Sequence, residues 1–172
     1  MKIIFLDIDG VLNSGDNLAA LHFTQKYNAC QIHDKYGQLF DERCVRWLDF
    51  ILMETNAKIV ISSTWRIAGL NTMREMWFDR KLPGEIIGIT PDSIDAALAE
   101  KFMETKADRG LEILEWLSNN LGVESYCIID DNDDMTPEQL EHRFIHTSSK
   151  DGLDRTSAAR AISILKINKP VC

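Results

Sequence analysis

The sequence predicts an α/β fold, a Rossmann-like three-layer sandwich built on a central parallel sheet. Short, continuously apolar runs alternate with segments whose apolar residues recur at helical spacing, and the chain has 172 residues with 45% hydrophobic content. Continuous apolar runs are typical of parallel strands that are covered on both faces. This length suits one unit with a sizeable core, so we expect residues 1–172 to form a single domain.

Five segments have the pattern of strands, and three of the segments with the pattern of helices are long ones. The strands are predicted at residues 2–7, 57–62, 85–89, 125–130 and, more weakly, 143–147. The helical patterns cover residues 42–54, 110–121 and 154–167. In the first of these, Val45, Leu48 and Leu52 fall on one face. The alternation of the two patterns places helices on both faces of the sheet.

Charge and apolar run length narrow the classes of function. The formal net charge of −8 argues against loose, charge-driven binding of nucleic acid or an anionic membrane, although it leaves room for a local basic pocket. The longest apolar runs are far shorter than a membrane span, and the first residues lack the features of a signal peptide. We therefore expect a cytoplasmic protein without a membrane partner.

Polar clusters follow three of the predicted strands. They are Asp7 and Asp9 at the end of the first, Ser62, Ser63 and Thr64 at the end of the second, and Asp130, Asp131, Asp133 and Asp134 at the end of the fourth. Taken singly, each cluster suits a turn or a helix cap. Ligands of open parallel sheets bind at the carboxyl ends of the strands, so the clusters together predict one site. Crowded carboxylates raise each other's pKa, and a bound Mg²⁺ ion would offset that repulsion.

Four stretches of the chain are similar to the motifs of a known family. In order they are IIFLDIDGVLN, KIVISSTWR, KADRGLEILEWL and CIIDDNDDM, which together span roughly residues 2–135. They resemble the four motifs of the haloacid dehalogenase-like (HAD) phosphohydrolases. The resemblance implies a Mg²⁺-dependent phosphatase that works through an aspartyl-phosphate.

The resemblance also implies a role for individual residues. Asp7 would attack phosphorus, and Asp9 would protonate the leaving oxygen and later activate water. The backbone carbonyl of Asp9 would face the metal. Ser62, with Ser63 as the alternative, would hold the transferring phosphoryl group, and Arg109 would offset charge on the nucleophile and the phosphate.

The third and fourth motifs leave choices open. Lysine is usual in the third motif, and this chain offers both Lys106 and Arg109. We prefer Arg109 because it directly opens the helical pattern, and we keep Lys106 as a substrate-binding candidate. In the fourth motif Asp130 is the preferred metal ligand. Asp131 and Asp134 are supporting candidates, because the family uses both spacings.

The gaps between the motifs are short. About 50 residues separate Asp9 from Ser62, and we interpret residues 13–40 or so as a flap rather than as a cap domain. In this family a small or absent cap suggests a large substrate, such as a nucleic-acid end or a phosphoprotein, or a second subunit that closes the site.

The SSTWR stretch is similar to a branch of the family predicted to act in RNA repair. There Arg66 would contact a phosphate and Trp65 would stack on a base. The alternatives are that Arg66 pairs with an acidic neighbour and that Trp65 packs under the site.

Two classes of function are compatible with these patterns. The first is a phosphomonoester hydrolase acting on nucleic-acid ends, nucleotides or small metabolites. The second is a regulatory module that binds phosphate and metal without turnover. The intact pair of Asp7 and Asp9 favours the first class.

Overall fold

The computed structural model describes residues 1–28, 32–92 and 108–167, and it contains seven strands within those ranges. The strands are β1 (Lys2–Leu6), β2 (His33–Asp34), β3 (Gly37–Gln38), β4 (Lys58–Ile61), β5 (Ile86–Ile89), β6 (Ser125–Asp130) and β7 (Phe144–His146). Five of them form a parallel sheet in the order β5-β4-β1-β6-β7. All five predicted strands are therefore confirmed, and so is the α/β fold.

Helices flank this sheet on both faces. In the described residues they are α1 (Gly15–Asn28), α2 (Glu42–Thr55), α3 (Leu70–Asp79), α4 (Asp108–Asn119), α5 (Pro137–His142) and α6 (Arg155–Lys166), with a 3₁₀ helix at Thr64–Ala68. Side chains cap several of them, as when the carboxylate of Asp41 accepts from the backbone N–H of Arg43 at the start of α2. None of these helices is long and apolar enough to span a membrane.

The core lies in two layers, one on each face of the sheet. Alternate residues of β1 supply both, because successive side chains of a strand point to opposite faces. Ile4 and Leu6 pack in the layer that also holds residues of α2, α3 and α6. Ile3 and Phe5 pack in the layer that holds residues of α4. The central strand is thus fixed from both sides, which holds its carboxyl end in place.

The order of the strands brings two strand ends together. The chain runs from β1 outward to β4 and β5, and then returns to the other side of β1 with β6 and β7. The crevice at such a reversal is where open α/β sheets bind ligands. Here Asp7 follows β1 and Asp130 ends β6, and the two strands are hydrogen-bonded neighbours.

The segment between β1 and α2 carries α1 and the antiparallel hairpin of β2 and β3. We call residues 33–38 the flap hairpin. Arg80, just after α3, donates to both oxygens of Asp34 at 2.9 and 2.7 Å and to the carbonyl of Gly37 at 3.3 Å. The hydroxyl of Tyr36 donates to Asp79 at 2.7 Å. The hairpin is therefore tied to the end of α3.

Candidate active site

Asp7 lies at the centre of the carboxyl edge of the sheet. Its backbone N–H donates to the carbonyl of Ile129 at 3.0 Å, which fixes it against β6. The residue is only 4% exposed, and burial raises its pKa, while the neighbouring Arg109 and a hydrogen bond from Ser63 act in the opposite direction. A buried carboxylate with one guanidinium partner is held in a fixed position, which is what a carboxylate nucleophile requires.

Arg109 joins three segments of the site. Its Nη1 donates to Asp7 Oδ1 at 3.0 Å and to the Ser62 carbonyl at 2.6 Å. The same nitrogen lies 3.3 Å from Asp130 Oδ2, and Nε lies 3.8 Å from Asp134 Oδ1. Burial alone would lower the pKa of Arg109, but Asp130, Asp7 and Asp134 raise it above the ordinary value. Arg109 therefore stays positively charged among these three carboxylates.

Lys106, the other candidate for the third motif, lies outside the described residues. The choice between Lys106 and Arg109 therefore stays a prediction, although Arg109 has the expected position. It lies in the first turn of α4, which begins at Asp108, two residues before the predicted helix start.

Ser62 and Ser63 follow β4, and the structure gives them different surroundings. Ser62 is fully buried, and its hydroxyl has no hydrogen-bond partner within the described residues. The Ser63 hydroxyl instead accepts from the backbone N–H of Trp65 and caps the 3₁₀ helix. An unpaired buried hydroxyl has a desolvation cost that a bound phosphoryl oxygen would relieve. The Ser63 hydroxyl also contacts Asp7, so the choice between Ser62 and Ser63 stays a prediction.

Three carboxylates meet at the ends of β1 and β6. Asp7, Asp130 and Asp131 each offer an oxygen, and these oxygens lie within 4.8 Å of one another. Asp130 is fully buried, and burial together with the charge of Asp7 raises its pKa to about 7. Burial also raises the pKa of Asp131. Asp134 instead faces the Nε side of Arg109, so of the two supporting candidates only Asp131 belongs to this cluster.

This donor set fits Mg²⁺. The ion prefers hard carboxylate oxygens, and it usually binds through one or two of them with waters and substrate phosphates. Asp130 Oδ2 is buried without a hydrogen-bond partner in the described part of the chain. Arg109 Nη1 lies 3.3 Å from that oxygen, and a bound metal ion would add a direct contact to it and offset the burial and the carboxylate repulsion that raise the pKa of Asp130.

Because Gly10 has no side chain, Asp131 can lie close to the turn that follows β1. Gly10 has a φ of +72°, and a Cβ there would stand 2.8 Å from the Cβ of Asp131 and closer still to its carboxylate. Any other residue would therefore displace the Asp131 carboxylate.

Asp9, the predicted acid and base, is exposed beside Asp7. Its Oδ2 accepts from the indole Nε1 of Trp65 at 2.9 Å, and its Oδ1 accepts from Asn13 Nδ2 at 3.0 Å. Its side chain is not part of the three-carboxylate cluster.

Arg66 is engaged with the protein itself. Its Nη2 donates to Glu112 Oε1 at 2.6 Å, and both side chains are only 11% exposed. Its Nη1 donates to the carbonyls of Ser62 and Ser63 at 2.9 and 3.2 Å. This is the acidic pairing that the sequence left open, and phosphate contact by Arg66 stays a prediction. Burial raises the pKa of Glu112, and Arg66 acts against that rise.

Comparison with known families decides the classification. Residues 3–158 match the family model described as the HAD domain in Swiss Army Knife RNA repair proteins. The chain belongs to this family. No curated protein and no solved structure gives a significant match.

The match places this HAD domain in a superfamily of phosphohydrolases and spans all four motif-like stretches. The resemblance inferred from the sequence is thereby confirmed.

Sequence reasoning did not find every residue that shapes the HAD site. Asn13 and Glu112 were not singled out, and the contact from Trp65 to Asp9 was not foreseen. The sequence did contain an indication for Glu112, because this residue lies three positions after Arg109 and therefore on the same face of α4. The contacts of Asn13 and Trp65 follow from how the loops after β1 and β4 fold, which residue spacing does not specify.

Proposed function

We propose that this HAD domain is a Mg²⁺-dependent phosphomonoester hydrolase that acts through an aspartyl-phosphate on Asp7. One observation carries the proposal: the buried Asp7 carboxylate touches Arg109 and shares a three-carboxylate cluster with Asp130 and Asp131. A hydrolase that transfers a phosphoryl group needs a nucleophile, a fixed cation and a metal site at one point, and these residues would supply the three parts.

The proposed reaction has two displacements at phosphorus. In the first, an Asp7 oxygen forms a bond to phosphorus as the ester oxygen leaves with its electron pair, and Asp9 gives that oxygen a proton. In the second, Asp9 takes a proton from water, the water oxygen bonds to phosphorus, and Asp7 is released with inorganic phosphate. A carboxylate nucleophile thus divides one difficult displacement into two easier ones.

Other groups of the site bind and orient the phosphoryl group. In this proposal the Ser62 hydroxyl, with Ser63 as the alternative, donates to a phosphoryl oxygen, and Arg109 offsets negative charge on Asp7 and on the phosphate. Asp7, Asp130 and Asp131 would hold Mg²⁺, together with the Asp9 carbonyl that the family resemblance implies. When bound, the ion would neutralise charge on the carboxylates and on the transferring group.

For the substrate we propose a phosphorylated RNA end, with a 3′-phosphate as the first version to test. The family description, which concerns domains in RNA repair proteins, supports this choice. The short insertions between the motifs also support it, because a large substrate needs an open site. A nucleotide or small metabolite is the alternative, and a second subunit could close the site over it. The cytoplasmic location stays a prediction.

The test of this function starts with a small aryl phosphate. We expect the wild type to release phosphate only with Mg²⁺, and we expect Asp7→Asn to lose all measurable activity. Asp133→Asn is the matched control, because Asp133 is exposed in the same acidic loop and lies outside the three-carboxylate cluster. Equal activity of Asp7→Asn and wild type would overturn the assignment of the nucleophile.

A second comparison tests the substrate class. If RNA ends are the substrates, kcat/KM will be higher for 3′-phosphorylated oligonucleotides than for mononucleotides, and KM for the oligonucleotides will rise with salt. Equal values for the two substrates, without salt dependence, would favour a nucleotidase. Metal and phosphate binding without turnover on any phosphate ester would favour the regulatory module.

A further inference from the structure

Both carboxylate oxygens of Asp9 are held by N–H donors. The donors are the Trp65 indole, at 2.9 Å, and the Asn13 amide, at 3.0 Å. An exposed carboxylate without such partners would sample several rotamers in water. Asn13 is itself fixed, because it is 8% exposed and its carbonyl accepts from the backbone N–H of Gly10 at 3.0 Å. The direction of the Asp9 side chain is therefore set by its neighbours.

Trp65 is fixed in turn by the flap side of the molecule. Its ring meets the Phe40 ring edge to face, with centroids 5.7 Å apart. It also lies against Gly37, where a Cβ would stand 3.4 Å from the indole. The Arg80 guanidinium lies 4.5 Å from the Phe40 centroid and 5.9 Å from the Trp65 ring.

Arg80 connects this aromatic group to the flap hairpin. It makes a bidentate pair with Asp34, which is among the strongest side-chain contacts that proteins form, and its side chain is only 7% exposed. That contact lowers the pKa of Asp34 and keeps it charged. The hairpin, the end of α3 and Trp65 thus pack as one unit that reaches Asp9.

We propose that Trp65 is the positioning residue for Asp9, and that the flap hairpin acts on the reaction through it. This inference rests on the proposed function, in which Asp9 delivers the proton to the leaving oxygen. A general acid must lie within hydrogen-bond reach of the atom it protonates. The Trp65 indole keeps the Asp9 carboxylate beside Asp7, and the hairpin keeps the indole in place.

Leaving-group dependence tests this role. Trp65→Phe keeps an aromatic ring against Phe40 and removes the indole N–H. A nitrophenolate leaves without protonation, whereas an alkoxide requires it. We therefore expect kcat/KM for an alkyl phosphate to fall about tenfold or more beyond the fall for para-nitrophenyl phosphate, with the loss in kcat. Trp47→Phe is the matched control, because Trp47 packs against Phe50 on α2 and should leave both substrates unaffected.

A second variant tests the connection to the flap hairpin. Arg80→Lys keeps the charge but breaks the bidentate pair with Asp34. It should lower activity on the alkyl phosphate selectively, as Trp65→Phe does, but to a smaller extent. An equal loss on both substrates in either variant would mean a general structural role and would overturn the proposal.

NMR of the indole groups tests the contact without any turnover. The Trp65 indole N–H signal is the one that Trp65→Phe removes. It should move and exchange faster with water in Asp9→Ala, while the Trp77 indole, which donates to the Pro83 carbonyl at 2.8 Å, should not change. An unmoved Trp65 signal would overturn the inference. A wild type inactive on every phosphate ester would instead overturn the proposed function, whatever the NMR result.

Discussion

At Gly110 the helix α4 lies directly against the loop after β6, and replacing this glycine with alanine should separate the two. A Cβ at Gly110 would stand 2.8 Å from the backbone nitrogen of Thr136 and 2.9 Å from the Cα of Met135, and it would also meet the Gln139 amide oxygen. Ordinary carbon contacts are about 3.5–4.0 Å, so the helix start must shift by at least about half an ångström. Arg109, one residue earlier, would shift with it.

The sign of the stability change tests this reasoning. Alanine in place of glycine inside a helix stabilises a protein by about 0.5–1 kcal/mol when nothing is in the way. Overpacking a buried position against backbone costs about 1–3 kcal/mol. We therefore expect Gly110→Ala to lose about 1–2 kcal/mol of unfolding free energy. For a chain of this size, that loss corresponds to a fall of roughly 2–8 °C in Tm.

Urea denaturation and a phosphatase assay together measure the effect. Gly15→Ala is the matched control, because Gly15 begins α1 and its added Cβ would make ordinary contacts of 3.4 Å or more. We expect the control to stay within about 0.5 kcal/mol of the wild type. Phosphatase activity should fall in Gly110→Ala, since Arg109 leaves its place beside Asp7. A Gly110→Ala protein as stable as the wild type or more stable would refute the argument.

Two further predictions concern buried charges. Because the pKa of Asp130 is raised to about 7 from 3.8, the folded state favours its protonated form, and that stabilisation is lost as pH rises through this range. In buffer without divalent ions, urea denaturation should therefore give a smaller free energy of unfolding at pH 8 than at pH 5. This difference should be smaller in Asp130→Asn, and smaller in the wild type with Mg²⁺. A difference that is the same in all three cases would contradict the prediction. In the same assay Glu112→Ala should lose about 3–5 kcal/mol of unfolding free energy, because it leaves Arg66 buried without its partner. The double variant Arg66→Met with Glu112→Leu should recover most of that loss. A loss below about 0.5 kcal/mol in Glu112→Ala would contradict the pairing.

The strands and the carboxyl edge could be predicted from the sequence because their signals are local. A short apolar run followed by polar residues specifies where a parallel strand ends, so Asp7, Ser62 and Asp130 fall where the pattern puts them. The topology then follows from general rules of parallel sheets. The place of Arg109 at the start of a helix could also be predicted locally, since it precedes a glycine at the start of a helical pattern.

The remaining parts depend on contacts between distant segments. The spacing after β6 allowed either Asp131 or Asp134 beside Asp130, and only the path of the loop shows that Asp131 joins Asp7 while Asp134 faces Arg109. Likewise, Arg66 reaches Glu112 46 positions along the chain. Nothing in the sequence around Arg66 or Glu112 indicates that residues so far apart along the chain pair with each other. Sequence spacing gives candidates, and tertiary packing selects among them.

Trapping a covalent intermediate is the most direct test of Asp7 as the nucleophile. The wild type and Asp7→Asn would be mixed with para-nitrophenyl phosphate and Mg²⁺ and quenched in acid, and their peptides compared by mass. We expect one phosphoryl group on Asp7 in the wild type and none in the variant. Phosphate on another residue, or full turnover by Asp7→Asn, would contradict it.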